Sequence, residues 1–299
     1  MNILVLGGRG FVGSRLCEAL VESGHETTVI SRSAEAGDRL PGAVRYVSAD
    51  TSVEGDWQEE IKHQDAVINL AGAAIFRRWT EKSKQLIYDS RIHTTRNLVD
   101  VMDGARNTVL VNASAAGYYG SHGDEELTER NSVGADFLAV LAQDWEKEAS
   151  SARAKGIRVV ISRFGVVLGK GGGALANMVP IFKMCLGGRL GSGEQWFSWV
   201  HMKDLVGALL FFLDHEDLEG PFNVTSPNPV RNREFTNTLA EVLHRQALLP
   251  VPGFMIRLVL GEFGSVLLKG QRAVPRKLLD HGFGFFYPRV REALEEATV

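Results

Sequence analysis

Short apolar runs alternate with longer amphipathic stretches through the first half of the chain. The apolar runs fall at residues 3–6, 27–30, 44–48, 66–70, 109–113 and 159–163, and the helical patterns between them at 11–22, 81–102 and 136–155. The runs are apolar almost throughout, as strands covered on both faces are. Strand and helix in alternation predict a parallel sheet with helices on both sides. The predicted fold class is α/β: a doubly wound parallel-sheet Rossmann fold with a smaller C-terminal substrate lobe.

Beyond residue 163 the pattern changes. Glycine-rich loops occur at 169–173 and 187–193, and prolines recur at Pro221, Pro227, Pro229, Pro250, Pro252, Pro275 and Pro288. These read as turns between short elements. The expected division is a dinucleotide-binding domain over 1–164 and a lobe over 165–299, with 201–224 returning to the first domain. Within that return, Phe222-Asn223-Val224 reads as a late strand.

The junction of the first strand and first helix reads Gly7-Gly8-Arg9-Gly10-Phe11-Val12-Gly13. Gly7, Gly10 and Gly13 suit a sharp turn, a close approach of backbone to a pyrophosphate, and tight packing of helix on strand. A helix N-terminus beginning at Phe11 and Val12 offers free N–H groups and a positive dipole to phosphates. A purely structural turn is the plainer alternative, but the strand before and the amphipathic helix after it favour a dinucleotide site.

NAD sites carry an acidic residue about 20 residues past this loop, for the ribose hydroxyls. Here the second strand ends Ile30-Ser31-Arg32-Ser33, with no acid. Arg32 can pair a 2′-phosphate through two hydrogen bonds, and Arg9 can add a second charge. The expected cofactor is therefore NADP(H), against Arg32 as a solvated strand-end residue. Asp50, after the third strand, is either an acceptor for the adenine amino group or a turn residue. Leu70, Ala71 and Gly72, at the end of the fourth, let backbone run beside the nucleotide.

Bulk properties narrow the function without naming it. The 299 residues are 44% hydrophobic and 23% charged, with a net charge of −3, which points to no nucleic-acid partner. No apolar run reaches the roughly 18 residues of a membrane span, and no signal-peptide pattern opens the sequence, so no membrane partner is expected. The two cysteines, Cys17 and Cys185, suit a reducing, cytoplasmic setting. No His, Cys, Asp or Glu spacing suggests a metal.

The motifs together resemble the extended short-chain dehydrogenase/reductases, the nucleotide-sugar epimerase/dehydratase superfamily. They are the glycine loop, Asn69-Leu70-Ala71-Gly72, the run Ser114-Ala115-Ala116-Gly117-Tyr118-Tyr119-Gly120, and Trp199-Val200-His201-Met202-Lys203-Asp204. More narrowly the chain is similar to the atypical epimerase-family branch of SDR39U1-like and bacterial YfcH-type proteins. Asp144-Trp145-Glu146, residues 163–168, 187–193 and 220–224, and the end segment at about 250–296 carry that likeness, which covers essentially the whole chain.

The resemblance implies an NADP-binding domain and chemistry by a Tyr, a Lys four residues on, and a Ser. The Tyr hydroxyl moves a proton at the substrate oxygen, and the ammonium draws its pKa towards the working pH. Ser114 matches the Ser position. The Tyr-Lys pair is missing, because the helix that should carry it has Phe137 and Leu141. Tyr118 or Tyr119, at the carboxyl end of the fifth strand, could stand in for the hydroxyl or simply pack the interface; Tyr118 is the first candidate. Arg77, Arg78 and Arg91 are candidates for an anionic substrate or the cofactor phosphates. Arg91 falls where the superfamily has an Asn facing the site. Arg163 joins the cofactor-binding set.

Asp204 is expected to cap the helix beginning near Leu205, and His201 to be a structural residue. Gln195, Trp196 and Trp199 are candidates for a pocket wall. Two functions stay open: an NADP(H)-dependent oxidoreductase or epimerase-like enzyme with atypical catalytic residues and an unknown small-molecule substrate, or a non-catalytic NADP(H)-binding regulatory or redox-sensor protein. The chain is expected as a monomer or homodimer.

Overall fold

Alternate residues of the first strand enter opposite cores. Ile3 and Val5 pack with Leu16, Leu20, Leu205 and Leu209, while Leu4 and Leu6 pack with Trp57, Ile61, Leu98 and Val99. A strand covered on both faces needs apolar side chains at every position, which is why its sequence runs apolar without alternation. The computed structural model describes residues 1–32, 43–247 and 250–298. Ser33, the last position read into strand two from the sequence, lies outside them.

The first half supplies β1 (Asn2–Leu6), α1 (Phe11–Glu22), β2 (Glu26–Ser31), β3 (Arg45–Ser48), β4 (Ala66–Asn69), α2 (Glu81–Val101) and β5 (Val109–Ala115). Then come β6 (Glu126–Leu127), α3 (Phe137–Ser150), β7 (Arg158–Phe164), β8 (Val166–Leu168), α4 (Gly173–Lys183), β9 (Trp196–Phe197), β10 (Trp199–His201), α5 (Met202–Asp214) and β11 (Gly220–Val224). The remainder holds β12 (Val230–Arg231), α6 (Asn232–Val242), α7 (Gly253–Leu260), α8 (Glu262–Leu267), β13 (Arg272–Ala273), α9 (Arg276–Asp280) and α10 (Val290–Thr298).

Among the described residues, one seven-stranded sheet runs in the order β11-β7-β5-β4-β1-β2-β3. Every pairing in it is parallel. This is the α/β Rossmann-type fold expected. Phe222, Asn223 and Val224 lie in β11, in register with Ser162, Arg163 and Phe164 of β7. Strand order reverses at β1, so the connections leaving β1 and β4 diverge and open a crevice at their carboxyl ends.

The expected cap at Asp204 is corrected. Helix α5 begins at Met202, and His201 is its N-cap, with Nδ1 accepting from the Lys203 amide at 3.2 Å. Asp204 lies inside the first turn and is buried. Its carboxylate accepts the amides of Phe286 at 2.6 Å and Tyr287 at 3.1 Å, tying the C-terminal segment to α5. Sequence spacing cannot separate a cap from a carboxylate that captures backbone 82 and 83 residues away. No helix of the described residues is long and apolar enough to cross a membrane.

Candidate functional site: a cleft at the strand switch point

The carboxyl ends of β1 to β4 surround a cleft of about 400 Å³. It is lined by Gly7, Arg9 and Gly10 after β1, by Ile30, Ser31 and Arg32 at the end of β2, by Ala49 and Thr51 after β3, and by Leu70, Ala71 and Gly72 after β4. Gly7 has φ +77°, a conformation costly for any residue with a Cβ. At Gly13 an added Cβ would stand 2.4 Å from the Gly7 carbonyl oxygen, so the helix can press onto the loop only without one. No side chain caps α1, which leaves the amides of its first turn for an anion. Phe11 is outside this lining; its ring lies against Gly169, Gly172 and Gly173. Val12 is half-buried and also outside the lining.

Among the described residues, two arginines and no carboxylate line this cleft. Arg32 is exposed, and the Arg9 guanidinium lies 5.4 Å from the Tyr46 ring. Asp50 is outside the lining: it accepts from the Ser52 hydroxyl at 2.6 Å and the Ser52 amide at 3.0 Å. Chiefly the Ser52 hydroxyl holds its carboxyl below the ordinary value. Its neighbours Ala49 and Thr51, which the sequence did not single out, form the wall instead. The β4 loop is fixed by Asn69, fully buried, whose Nδ2 donates to Thr95 Oγ1 at 2.9 Å and to Asn112 Oδ1 at 2.7 Å.

The other candidates gather in a polar layer between the sheet and α3. Ser114 Oγ donates to Glu146 Oε1 at 2.6 Å, and Ser114 is 3% exposed. Arg163 is outside the lining of the cleft at the strand switch point. It bonds both oxygens of Glu146 at 2.8 Å and donates to the Tyr119 hydroxyl at 2.9 Å. Burial works against its charge, but the hydrogen bonds and charge of Glu146 outweigh that and hold it above the ordinary arginine range. Tyr119 donates on to Asn223 Oδ1 at 2.7 Å, and burial pushes its hydroxyl up to about 12. Neither Ser114 nor Tyr119 is thereby presented to a ligand.

Tyr118 differs from these. It is half-buried, with the Arg163 guanidinium 3.5 Å from its ring centre. It borders a second groove of about 490 Å³, with Gln143, Asp144, Glu146, Lys147 and Ser150. That lining shares no residue with the first. Glu146, the hub of this layer, was visible in sequence only as part of the Asp144-Trp145-Glu146 run.

Apolar packing replaces the missing dyad. Leu141 is buried with Trp79, Ile87 and Phe263, and Phe137 meets Trp79 edge-on at 5.1 Å. Arg91, on α2, is 8% exposed and lies behind Gly72. Arg77 and Arg78 are exposed, and Arg78 donates to the Leu258 carbonyl at 3.3 Å. Trp199 is core, Gln195 bonds the Leu190 and Leu267 carbonyls, and the guanidinium groups of Arg231 and Arg272 lie 4.2 Å and 4.7 Å from the Trp196 ring centre. His201 bonds Glu296 at 2.8 Å. Among the described residues no group of three or more His, Cys, Asp or Glu is placed to hold a metal.

Comparison with known proteins agrees with this architecture. Residues 3–225 match the NAD dependent epimerase/dehydratase family, and residues 251–297 match a domain of unknown function, DUF1731. The chain is 41% identical to the Epimerase family protein SDR39U1 homolog, chloroplastic, of Arabidopsis thaliana, over 98% of this chain and 86% of that protein. It is 40% identical to the Epimerase family protein YfhF of Bacillus subtilis, over 99% and 97%. Among solved structures, human epimerase family protein SDR39U1 with NADPH superposes with a TM-score of 0.86 at 33% identity, covering 99% of each chain. UDP-glucose 4-epimerase of Thermus thermophilus superposes with a TM-score of 0.84 over 99% and 97%, at 21% identity, which shows the shared fold. With its nucleotide-type cleft and its own end segment, this chain belongs to the NAD dependent epimerase/dehydratase family, in the SDR39U1-like branch.

Proposed function

We propose that this protein is an NADP(H)-dependent oxidoreductase or epimerase-like enzyme acting on a small molecule, with atypical catalytic residues. The observation that carries the cofactor choice is the cleft wall: Arg32 and Arg9 line it, and among the described residues no acid stands at the end of β2. Arginine forks suit a 2′-phosphate, and a carboxylate there would suit a bare ribose. The relative solved with NADPH supports the same choice. Bound NADP(H) supplies hydride-transfer chemistry. Gly7, Gly10, Gly13 and the first turn of α1 would hold its pyrophosphate, with Leu70, Ala71 and Gly72 alongside.

For proton transfer the reading rests on Tyr118. Its ring lies against a guanidinium, and its groove is open. Ser114 acts one step back, by fixing Glu146, which fixes Arg163. Residues 1–164 with 201–224 form the nucleotide-binding unit in this reading, and the rest of 165–299 the substrate lobe. The two unpaired cysteines, one of them exposed, suit a cytoplasmic setting.

A second reading is a non-catalytic NADP(H) sensor. It is favoured by Phe137 and Leu141, which fill the dyad's place with apolar packing. One set of titrations tests both. NADPH and NADH are titrated into nucleotide-free wild type and Arg32→Ala. Tight NADPH, weak NADH and at least a roughly tenfold loss in Arg32→Ala support NADP(H); equal NADH binding removes it. A substrate screen following NADPH consumption, with Tyr118→Phe as control, then addresses catalysis. The sensor requires unequal affinities for NADPH and NADP⁺, because a ligand shifts only a state it discriminates.

A further inference from the structure

Helix α7 is apolar on nearly every side and yet lies on the surface. Six of its eight residues are large and apolar, and a helix of that kind is ordinarily buried. Here only Ile256 is buried. Phe254, Met255, Leu258 and Val259 are exposed, Phe254 at 69% and Leu258 at 72%. Phe254 and Leu258 are four residues apart, as are Met255 and Val259, so the four form two adjacent rows on one side of the helix. Ile256 holds the other side to the protein.

Two further exposed apolar stretches meet this helix. At the end of α4, Ile181, Met184 and Leu186 are exposed. The chain that follows them is joined to the start of α7: the Val251 amide donates to the Arg189 carbonyl and the Gly191 amide to the Val251 carbonyl, each at 2.9 Å. At the other end of α7, Arg78 donates to the Leu258 carbonyl at 3.3 Å, and exposed Phe76 meets Phe263 of α8 edge-on at 5.2 Å. Eight of the fourteen large apolar residues exposed among the described ones lie in these three stretches, so they form a patch and not scattered background.

Charge points to what covers the patch. Residues 71–80, 181–193 and 242–261 contain no Asp or Glu. They contain Arg77, Arg78, Lys183, Arg189, Arg245 and Arg257, all exposed. The acids at the borders of these stretches are already paired: Glu81 and Glu262 with Lys84, Glu194 with Arg233, and Glu241 with Arg291. An apolar face with a cationic rim suits a bilayer carrying anionic headgroups, where apolar side chains enter the acyl boundary and the cations meet phosphates. It suits a second copy of this chain poorly. A twofold contact through one face sets the same residues against each other, and this rim would meet like charge with no acid to separate it.

We propose that the face built by α7, the end of α4 and Phe76 docks this protein on an anionic lipid bilayer surface. This departs from the expectation of no membrane partner, which concerned segments long enough to span; a helix that lies in the interface needs no such length. None of these side chains lines the nucleotide cleft, so docking is separate from the cofactor reading.

The experiment is flotation of the full chain with vesicles of phosphatidylglycerol and phosphatidylcholine in equal parts, and with vesicles of phosphatidylcholine alone, at low and high salt. Two double variants accompany wild type, each checked for native melting: Phe254→Ser with Leu258→Ser, and Lys183→Gln with Arg257→Gln. Docking predicts that wild type floats with the anionic vesicles, and that salt and the loss of the anionic lipid both weaken it. The serine variant should lose roughly tenfold or more in partitioning, and the glutamine variant about fivefold for each charge removed. No flotation of wild type with the anionic vesicles overturns the proposal. So does flotation that the serine variant retains, which would belong to another surface, and so does flotation indifferent to salt and to the anionic lipid. Light scattering of the same proteins covers the other occupant: a dimer that the serine variant dissociates, without vesicle binding, overturns bilayer docking and makes the face an interface between copies.

Discussion

Arg163 grips the Glu146 carboxylate by both oxygens, Nε to Oε1 and Nη2 to Oε2, each at 2.8 Å. The pair joins β7 to α3, and its side chains are 3% and 12% exposed. Ser114 adds a third bond to the same carboxylate, and Tyr119 a further one to the guanidinium. A polar layer this dry is stable only while each member is satisfied.

Removing one half of that pair should therefore cost far more than a surface change. Glu146→Ala strands a buried guanidinium, and the expected loss is about 3–5 kcal/mol of unfolding free energy. The double variant Glu146→Ala, Arg163→Met removes both charges and should recover part of that loss. Denaturant unfolding reads both. A Glu146→Ala protein within about 1 kcal/mol of wild type would show that the pair contributes little beyond ordinary packing.

The glycine loop gives a second expectation. In Gly13→Ala the new methyl meets the Gly7 carbonyl oxygen at 2.4 Å and the Gly8 Cα at 2.6 Å, both of them backbone. Backbone has no rotamer by which to move aside. The loop must shift, at an expected cost of roughly 1–3 kcal/mol, and NADPH affinity should fall at least about tenfold with it. Unfolding curves and an NADPH titration check the two effects. Retained affinity in a destabilised variant would detach the loop's geometry from nucleotide binding.

Two buried carboxyls hold the C-terminal segment, and they set a pH dependence. Glu129 accepts the amides of Asn223 at 2.9 Å and Lys277 at 3.3 Å, as Asp204 accepts those of Phe286 and Tyr287. Burial raises both above the ordinary carboxylate value, against those hydrogen bonds. The folded state then holds protons that the unfolded chain has released. Their contribution is fully present below the ordinary carboxylate pKa and is lost as pH rises through the raised values. In Glu129→Gln that loss disappears, so the stability of the variant relative to wild type should increase with pH across this window. Urea melts at several pH values measure it, and a relative stability that is flat or falls with pH contradicts the assignment.

The nucleotide cleft was more legible in the sequence than the polar layer behind it, and the reason is one of range. Gly7, Gly10 and Gly13 lie within one turn of chain, and Arg32 ends a strand that an apolar run already marks. Leu70, Ala71 and Gly72 end the next such run. Asp50 was readable as a residue but not as a role, because whether it meets a ligand or Ser52 depends on a side-chain rotation. Ser114, Glu146, Arg163 and Asn223 come from β5, α3, β7 and β11, and Tyr119 from the turn after β5. Nothing in their spacing announces that they meet.

The sequence by itself determined the alternation of strands and helices through the first half of the chain, the glycine loop and the absence of the Tyr-Lys pair. These are consequences of local pattern and of residue identity, which do not change on folding. Tertiary structure decided which polar groups spend their hydrogen bonds on the protein. It gave Asp204 to backbone 82 and 83 residues away and Arg163 to Glu146, and it laid the Arg91 guanidinium against Gly72. The physical reason is that burial and pairing are properties of the neighbours that packing supplies, and those neighbours lie far off in the chain.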